Sequence, residues 1–223
     1  SFQHVINALG PQCAPSQTLW TSDPNLAIRE AAGLNVALQR GWTVAIPDHL
    51  GPTSAYGAAK LGGQITLDGI RAVQRAPELQ VADSPVALAG YSGGGMATAW
   101  AAALQPTYAP DLKLAGVAAG GIPADLEEMA LGIGFGPHPG FGLAWAAAMG
   151  LEREYPERLP ISDQLNADGL WFRDFTHDEC RRFLLLHGAV RNAEQLARTK
   201  DLMDSPDARA VLRENSLRDY AGV

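Results

Sequence analysis

Short apolar runs and helical stripes alternate along the first half of this chain, and only helical stripes remain in the second half. Phe2-Gln3-His4-Val5-Ile6 reads as the tail of a strand whose beginning is cut off. Asn7 to Gln17 is a loop rich in Gly, Pro and Ser. Asp23-Pro24 supplies an N-cap and a proline at the first helical position. Ala27, Ala31, Leu34 and Leu38 then share one helical face, and Gly41 ends the helix. Trp42-Thr43-Val44-Ala45-Ile46 predicts a buried strand ending at Pro47-Asp48-His49. A second helix is expected over about Ala58 to Arg75, with Leu61, Ile65 and Ile70 among its apolar positions and Pro77 closing it. Val86 to Ala89 predicts a strand, Met96 to Leu104 a helix stopped by Pro106, and Leu112 to Ala119 a further strand ending in Gly120-Gly121.

After Ile122 no strand is expected. Leu131 to Gly142 reads as a Gly/Pro-rich loop, and Leu143 to Leu151 as an apolar, small-residue helix. Further helices are expected at about His177–His187, Asn192–Met203 and Pro206–Asn215. The alternating half predicts a parallel sheet wrapped on both faces over residues 1–121. Residues 122–223 then form an all-helical cap over the strand ends. Sites in such sheets lie at the carboxyl ends of the strands, which is where Asn7, Asp48, Ser92 and Gly120 fall.

One of those ends carries a chemical motif. Gly90-Tyr91-Ser92-Gly93-Gly94 fits G-x-S-x-G, with the strand before it and the helix after it. That context makes it a nucleophile elbow, a turn that lifts the Ser92 hydroxyl clear of the sheet. Side chains at positions 90 and 94 would collide with the neighbouring strand and helix, so both are glycine. The Gly93 N–H, at the helix N-terminus, faces the place where an oxyanion would form, and the helix dipole adds positive charge there.

Composition narrows the partners. At 223 residues the chain suits one domain with room for an inserted subdomain. Its net charge is −7 without a Lys/Arg cluster, so nucleic acid and anionic membrane surfaces are poor candidates. No apolar run reaches the roughly 20 residues of a membrane span. The start, Ser1-Phe2-Gln3, lacks the basic region of a signal peptide, as a mature secreted protein also would. Two cysteines, Cys13 and Cys180, are compatible with one disulfide or with two buried thiols. No metal-ligand spacing occurs, and no cofactor is implied.

A serine nucleophile needs a histidine base and a carboxylate to orient it, in the chain order Ser, acid, His on this architecture. His138 sits in a Gly/Pro loop, and His177 and His187 lie within or beside a helix, positions typical of surface or packing residues. His4 and His49 precede Ser92, although His49 is at a strand end where it can contact the site. The expectation is that the acid and the histidine lie beyond Val223, in a remaining C-terminal part of the same protein.

The motifs resemble those of the secretory lipases of yeasts and actinobacteria. Gly90-Tyr91-Ser92-Gly93-Gly94-Gly95-Met96-Ala97-Thr98-Ala99-Trp100 is similar to that family's elbow. Gln12-Cys13-Ala14-Pro15-Ser16, Asp48-His49 with Gly51, Leu67-Asp68-Gly69-Ile70-Arg71-Ala72, and Tyr108-Ala109-Pro110-Asp111-Leu112 before Gly120-Gly121 also match its pattern. The resemblance is specific from about residue 7 to 126 and looser through the helical region. It implies a secreted α/β-hydrolase with an inserted helical cap, acting on lipid or small-molecule esters. Ser92 would be the nucleophile and Gly93 one oxyanion donor. The second donor would come from the loop before Cys13, where Asn7 stands in place of the usual aspartate. The resemblance also implies a Cys13–Cys180 disulfide. The apolar cap residues Leu131, Phe135, Phe141 and Trp145 would take the acyl chain or, on the plainer reading, form cap core. Two other functions compete: a catalytically inactive hydrolase-like binding protein, and a serine peptidase of the same fold.

Overall fold

The computed structural model describes residues 1–21, 31–199, 205–218 and 220. Among them three parallel strands form one sheet, in the order β1 (Phe2–Gln3), β2 (Val86–Tyr91), β3 (Leu114–Gly120). Gln3 pairs with Gly90, and Tyr91 with Gly120. The helices are α1 (Pro15–Thr18), α2 (Ala31–Gln39), α3 (Ala59–Arg75), α4 (Gly93–Tyr108), α5 (Leu126–Gly134), α6 (Phe141–Glu154), α7 (Ala167–Thr176), α8 (Arg181–Gly188), α9 (Ala193–Leu196) and α10 (Pro206–Glu214). Beyond β3 the only described extended pairing is an isolated antiparallel bridge between Leu165 and Ala197. The chain is therefore α/β first and helical afterwards.

Several expected elements change on folding. The stretch Trp42–Ile46 forms no strand, and Trp42 is 56% exposed. Phe2 donates to the Ala45 carbonyl at 2.8 Å, and the neighbouring β1 is only two residues long, so it cannot offer a longer ladder. The expected strand at residues 2–6 likewise pairs only through Phe2 and Gln3. His4, Val5 and Ile6 stay buried outside the ladder. The Asp23-Pro24 cap lies outside the described residues. At the other end of α2, Gly41 adopts φ 75 and donates to Leu38, as a glycine cap should. Pro106 does not stop α4, which runs on to Tyr108. The Gln105 side chain donates to the carbonyls of Ala109 and Leu112 at 3.1 and 2.8 Å, binding the last turn to the segment that leads into β3.

The second half of the chain differs more. Leu131–Gly142 is not all loop, because α5 reaches Gly134 with Asp125 as N-cap, accepting from the Glu128 N–H at 2.9 Å. The apolar helix is longer than expected at both ends. Helix α7 is not predicted by the sequence pattern. Asn166 caps it, accepting from Gly169. Helix α9 is a single turn rather than Asn192–Met203, because Arg198 turns back and donates to Gln164 and Leu165. The part of that range beyond residue 199 lies outside the described residues.

One hydrophobic cluster runs through both halves, from Leu67, Leu88 and Trp100 to Trp145, Phe172 and Leu184. Helices α3 and α4 approach closely because Gly63 faces Trp100. A Cβ at Gly63 would lie 2.8 Å from the Trp100 backbone. Buried Asn215 joins the halves. It accepts from the Lys60 N–H at the start of α3 and from the Trp100 indole, and donates to the Tyr155 hydroxyl. Cys13 and Cys180 form a disulfide across a separation of 167 residues. Such a link restricts the unfolded chain strongly. Replacing both cysteines by serine should lower unfolding free energy by about 2–5 kcal/mol, read as an earlier urea midpoint. An unchanged midpoint would show that the bridge stabilises nothing.

Candidate active site

Ser92 stands between the last residue of β2 and the first of α4, with φ 54 and ψ −122. An L-residue adopts that conformation only when its surroundings impose it. Here both of its backbone groups are committed. The Ser92 N–H donates to the Gly120 carbonyl at 2.9 Å, and its carbonyl accepts from Met96 at 2.9 Å. The glycines around it leave no alternative residue. A Cβ at Gly90 would lie 2.4 Å from the Thr98 hydroxyl, and one at Gly94 2.0 Å from the Gln3 carbonyl. A third constraint is not apparent from the motif, since a Cβ at Gly95 would lie 2.6 Å from the Gly120 carbonyl. Gln3 is fixed in turn by the Thr98 hydroxyl, which donates to its Oε1 at 2.6 Å.

Three groups converge here. The Ser92 side chain is half-buried and makes no hydrogen bond among the described residues. Gly93 is the first residue of α4, so its N–H has no acceptor within the helix. Asn7 is 2% exposed, has φ 45, and points its side chain at Gly93. A Cβ at Gly93 would lie 2.0 Å from Asn7 Oδ1. That Oδ1 is buried without a hydrogen-bond partner. The oxygen and nitrogen of a carboxamide exchange by a simple flip, so Asn7 can present N–H donors in the same place. The Tyr56 ring lies against Gly93, and burial pushes its phenol up to about 12, with Arg181 opposing.

The histidines do other things. His138 Nδ1 accepts from Gly140 at 2.9 Å. Exposed His177 pairs with Asp178 at 2.9 Å. His187 packs on Phe183 and Phe175. His4 and His49 are buried, with the His49 carbonyl against Gly62 of α3. Among the described residues no imidazole bonds to Ser92. Asp48 accepts from the Ser16 N–H at 2.9 Å and holds a loop. Among the described residues no cluster of His, Cys, Asp and Glu is arranged for a metal, and no helix is long and apolar enough to cross a membrane.

Sequence reasoning misses what holds the Asn7 loop. The Leu9 N–H donates to Glu179 at 3.0 Å and Gln12 donates to the Asp178 carbonyl, beside the disulfide. Arg153 adds bonds to several carbonyls around the loop. The available signal is a single arginine, between Glu152 and Glu154, in the last turn of a helix that is apolar up to Leu151.

Comparison with known proteins identifies relatives of the chain. The family model described as secretory lipase matches residues 26–220. A secreted triacylglycerol lipase of Malassezia restricta is 33% identical over 217 residues, 93% of this chain and 46% of that protein. A lipase A of Moesziomyces aphidis is 37% identical over 76% of this chain and 37% of its own length. The X-ray structure of Candida antarctica lipase A in its closed state superposes with a TM-score of 0.88 at 30% identity, over 96% of this chain and 52% of that one. The chain thus spans about half the length of relatives it matches.

Burial gives the site's surroundings a pH dependence. Desolvation, reinforced by His4 and opposed by the Pro47 backbone and Asp48, lowers His49 to about 4 in the folded protein from 6.5. Between these values the unfolded chain binds more protons. The stability from keeping His49 neutral is whole above pH 6.5 and drains away as pH falls to about 4. In full that is roughly 3 kcal/mol. Urea midpoints at pH 7, 5.5 and 4 should therefore fall less steeply for His49→Gln than for the wild type. Parallel profiles would contradict it.

Proposed function

Because the chain belongs to the secretory lipase family, we propose that it hydrolyses carboxylic esters of lipids through an acyl-enzyme on Ser92. One observation carries the reading: Ser92 is held at φ 54 with its hydroxyl unbonded, at the end of a strand and beneath a helix N-terminus. The hydroxyl oxygen attacks the ester carbonyl. The Gly93 N–H and the Asn7 carboxamide donate to the oxyanion, and the α4 dipole supports it. Asn7 differs from a carboxyl group in that its donors need no proton from solvent, so the oxyanion site itself does not titrate. Collapse of the tetrahedral intermediate expels the alcohol, and water later frees the acid.

The base and its carboxylate are proposed to come from a further segment of polypeptide. Two facts support this. The chain covers only 46% and 41% of two secreted triacylglycerol lipases of Malassezia. Strand β3 is also an apolar parallel edge with Val117 45% exposed, whereas parallel sheets are normally covered. Residues 122–223 serve as the cap over a core of residues 1–121. Between its helices lies a narrow apolar cavity of about 70 Å3, lined in part by Phe135, Phe141, Trp145 and Leu165. Ligand pockets typically measure about 300–1,000 Å3, so an acyl chain entering here must part these side chains. Leu131 is exposed and lies outside that lining. A secreted location follows from the names of the relatives and from the disulfide, which persists in oxidising surroundings.

A second reading, a hydrolase-like protein without turnover, draws on the absence of an imidazole bonded to Ser92 among the described residues. Kinetics on the native protein separates the two. With p-nitrophenyl esters, Ser92→Ala should abolish turnover, and Asn7→Ala should lower kcat by about 10²–10³-fold with little change in KM. Turnover retained by Ser92→Ala would remove the nucleophile assignment.

A further inference from the structure

We propose that Arg153 is the positioning residue of the oxyanion loop: its guanidinium fixes where Asn7 points, and so sets turnover at Ser92 rather than substrate affinity. This rests on the reading of Ser92 and Asn7 given above.

Arg153 lies in the last turn of α6 and is partly buried. Its fork binds carbonyl oxygens of three separate segments. Nη1 donates to Leu9 at 2.6 Å, to Thr53 at 2.8 Å and to Ser54 at 3.4 Å, and Nη2 donates to His177 at 2.6 Å. These are the loop that carries Asn7, the turn after His49, and the end of α7. The acceptors are all neutral backbone carbonyls, and the charged group acting on the guanidinium is Asp178. Hydrogen bonds to a charged donor are about twice as strong as neutral ones. A planar fork can hold several acceptors at fixed angles, which a lysine cannot.

The loop needs such a hold. Asn7 has a left-handed backbone without being glycine, which persists only where both flanks are fixed. On its N-terminal side Gln3 is fixed in the sheet. On its C-terminal side Leu9 is gripped at both backbone groups, its N–H by Glu179 and its carbonyl by Arg153. Ala8 is held by the Ser54 hydroxyl, and Ser54 itself borders the guanidinium. The disulfide acts four residues further on, at Cys13. Arg153 is therefore the side chain that joins the Asn7 loop, the turn beneath it and the cap at one point.

A cavity of about 390 Å3 opens beside it, lined by Leu9, Met149, Arg153, Arg173 and His177 among others. A small cation can enter there, which makes a test by chemical rescue feasible. Active sites of the native protein and its variants are first counted by titration with a fluorophosphonate ester. If the wild type itself does not react, the Ser92 reading has failed, and that shows before any Arg153 variant is made. If it reacts, Arg153→Ala should lower kcat per titrated site about 10- to 100-fold, the scale for misplaced reacting groups, with KM within about twofold. Millimolar methylguanidinium should restore much of that loss in Arg153→Ala and none of it in Asn7→Ala. Arg153→Lys, which keeps charge and most of the volume, should show an intermediate kcat if the alanine variant folds poorly. A wild-type kcat per titrated site in both variants, a loss confined to KM, or a kcat loss that methylguanidinium does not relieve would overturn the proposal.

Discussion

The constraint on which the Ser92 turn depends is the passage of β1 across the start of α4. The Gln3 carbonyl stands where any side chain at position 94 would be, and Thr98 on the same helix holds the Gln3 amide. This approach lets β2 turn straight into α4 at Ser92. The left-handed serine, its unbonded hydroxyl and the free N–H of Gly93 all depend on it. So does the position of Asn7, because the chain leaving Gln3 passes over the helix N-terminus within a few residues. Strand, turn and the Asn7 loop are one arrangement.

The second half of the chain stabilises that arrangement from outside. Asn215 accepts from the start of α3 and receives the Trp100 indole, so the end of the last described helix is tied to the two helices of the core. The segment from His177 to Cys180 holds the Asn7 loop by backbone, side-chain and covalent links. A helical cap is often pictured as a lid over a finished site. Here the helical half also supplies groups that fix the loop beside Ser92, so the placement of Asn7 depends on both halves of the chain.

The features legible in the sequence are those that local sterics dictate. Gly90 and Gly94 announce a turn with no room for side chains, and Gly41 announces a helix end. The features that are not legible depend on distant partners. Trp42–Ile46 has the composition of a buried strand, yet strand formation requires a neighbour with a ladder to offer. Pro106 reads as a stop, but Gln105 secures the turn around it. Helix α7 begins with Asn166-Ala167-Asp168-Gly169, which looks like a turn until the asparagine is seen capping the glycine N–H. Arg153 gives only a faint signal, because its acceptors are backbone carbonyls from three segments, and carbonyls leave no mark in a sequence. The Cys13–Cys180 bridge is legible only through family resemblance, since two cysteines alone leave the question open.

The central claim is that Ser92 is an activated nucleophile in the native protein. Its most direct test is intact-mass analysis after exposure to a fluorophosphonate ester, with the adduct located by peptide mapping. The account predicts one adduct per molecule, on Ser92, that does not form on heat-denatured protein. Native protein that stays unlabelled, or that carries its label elsewhere, would contradict it.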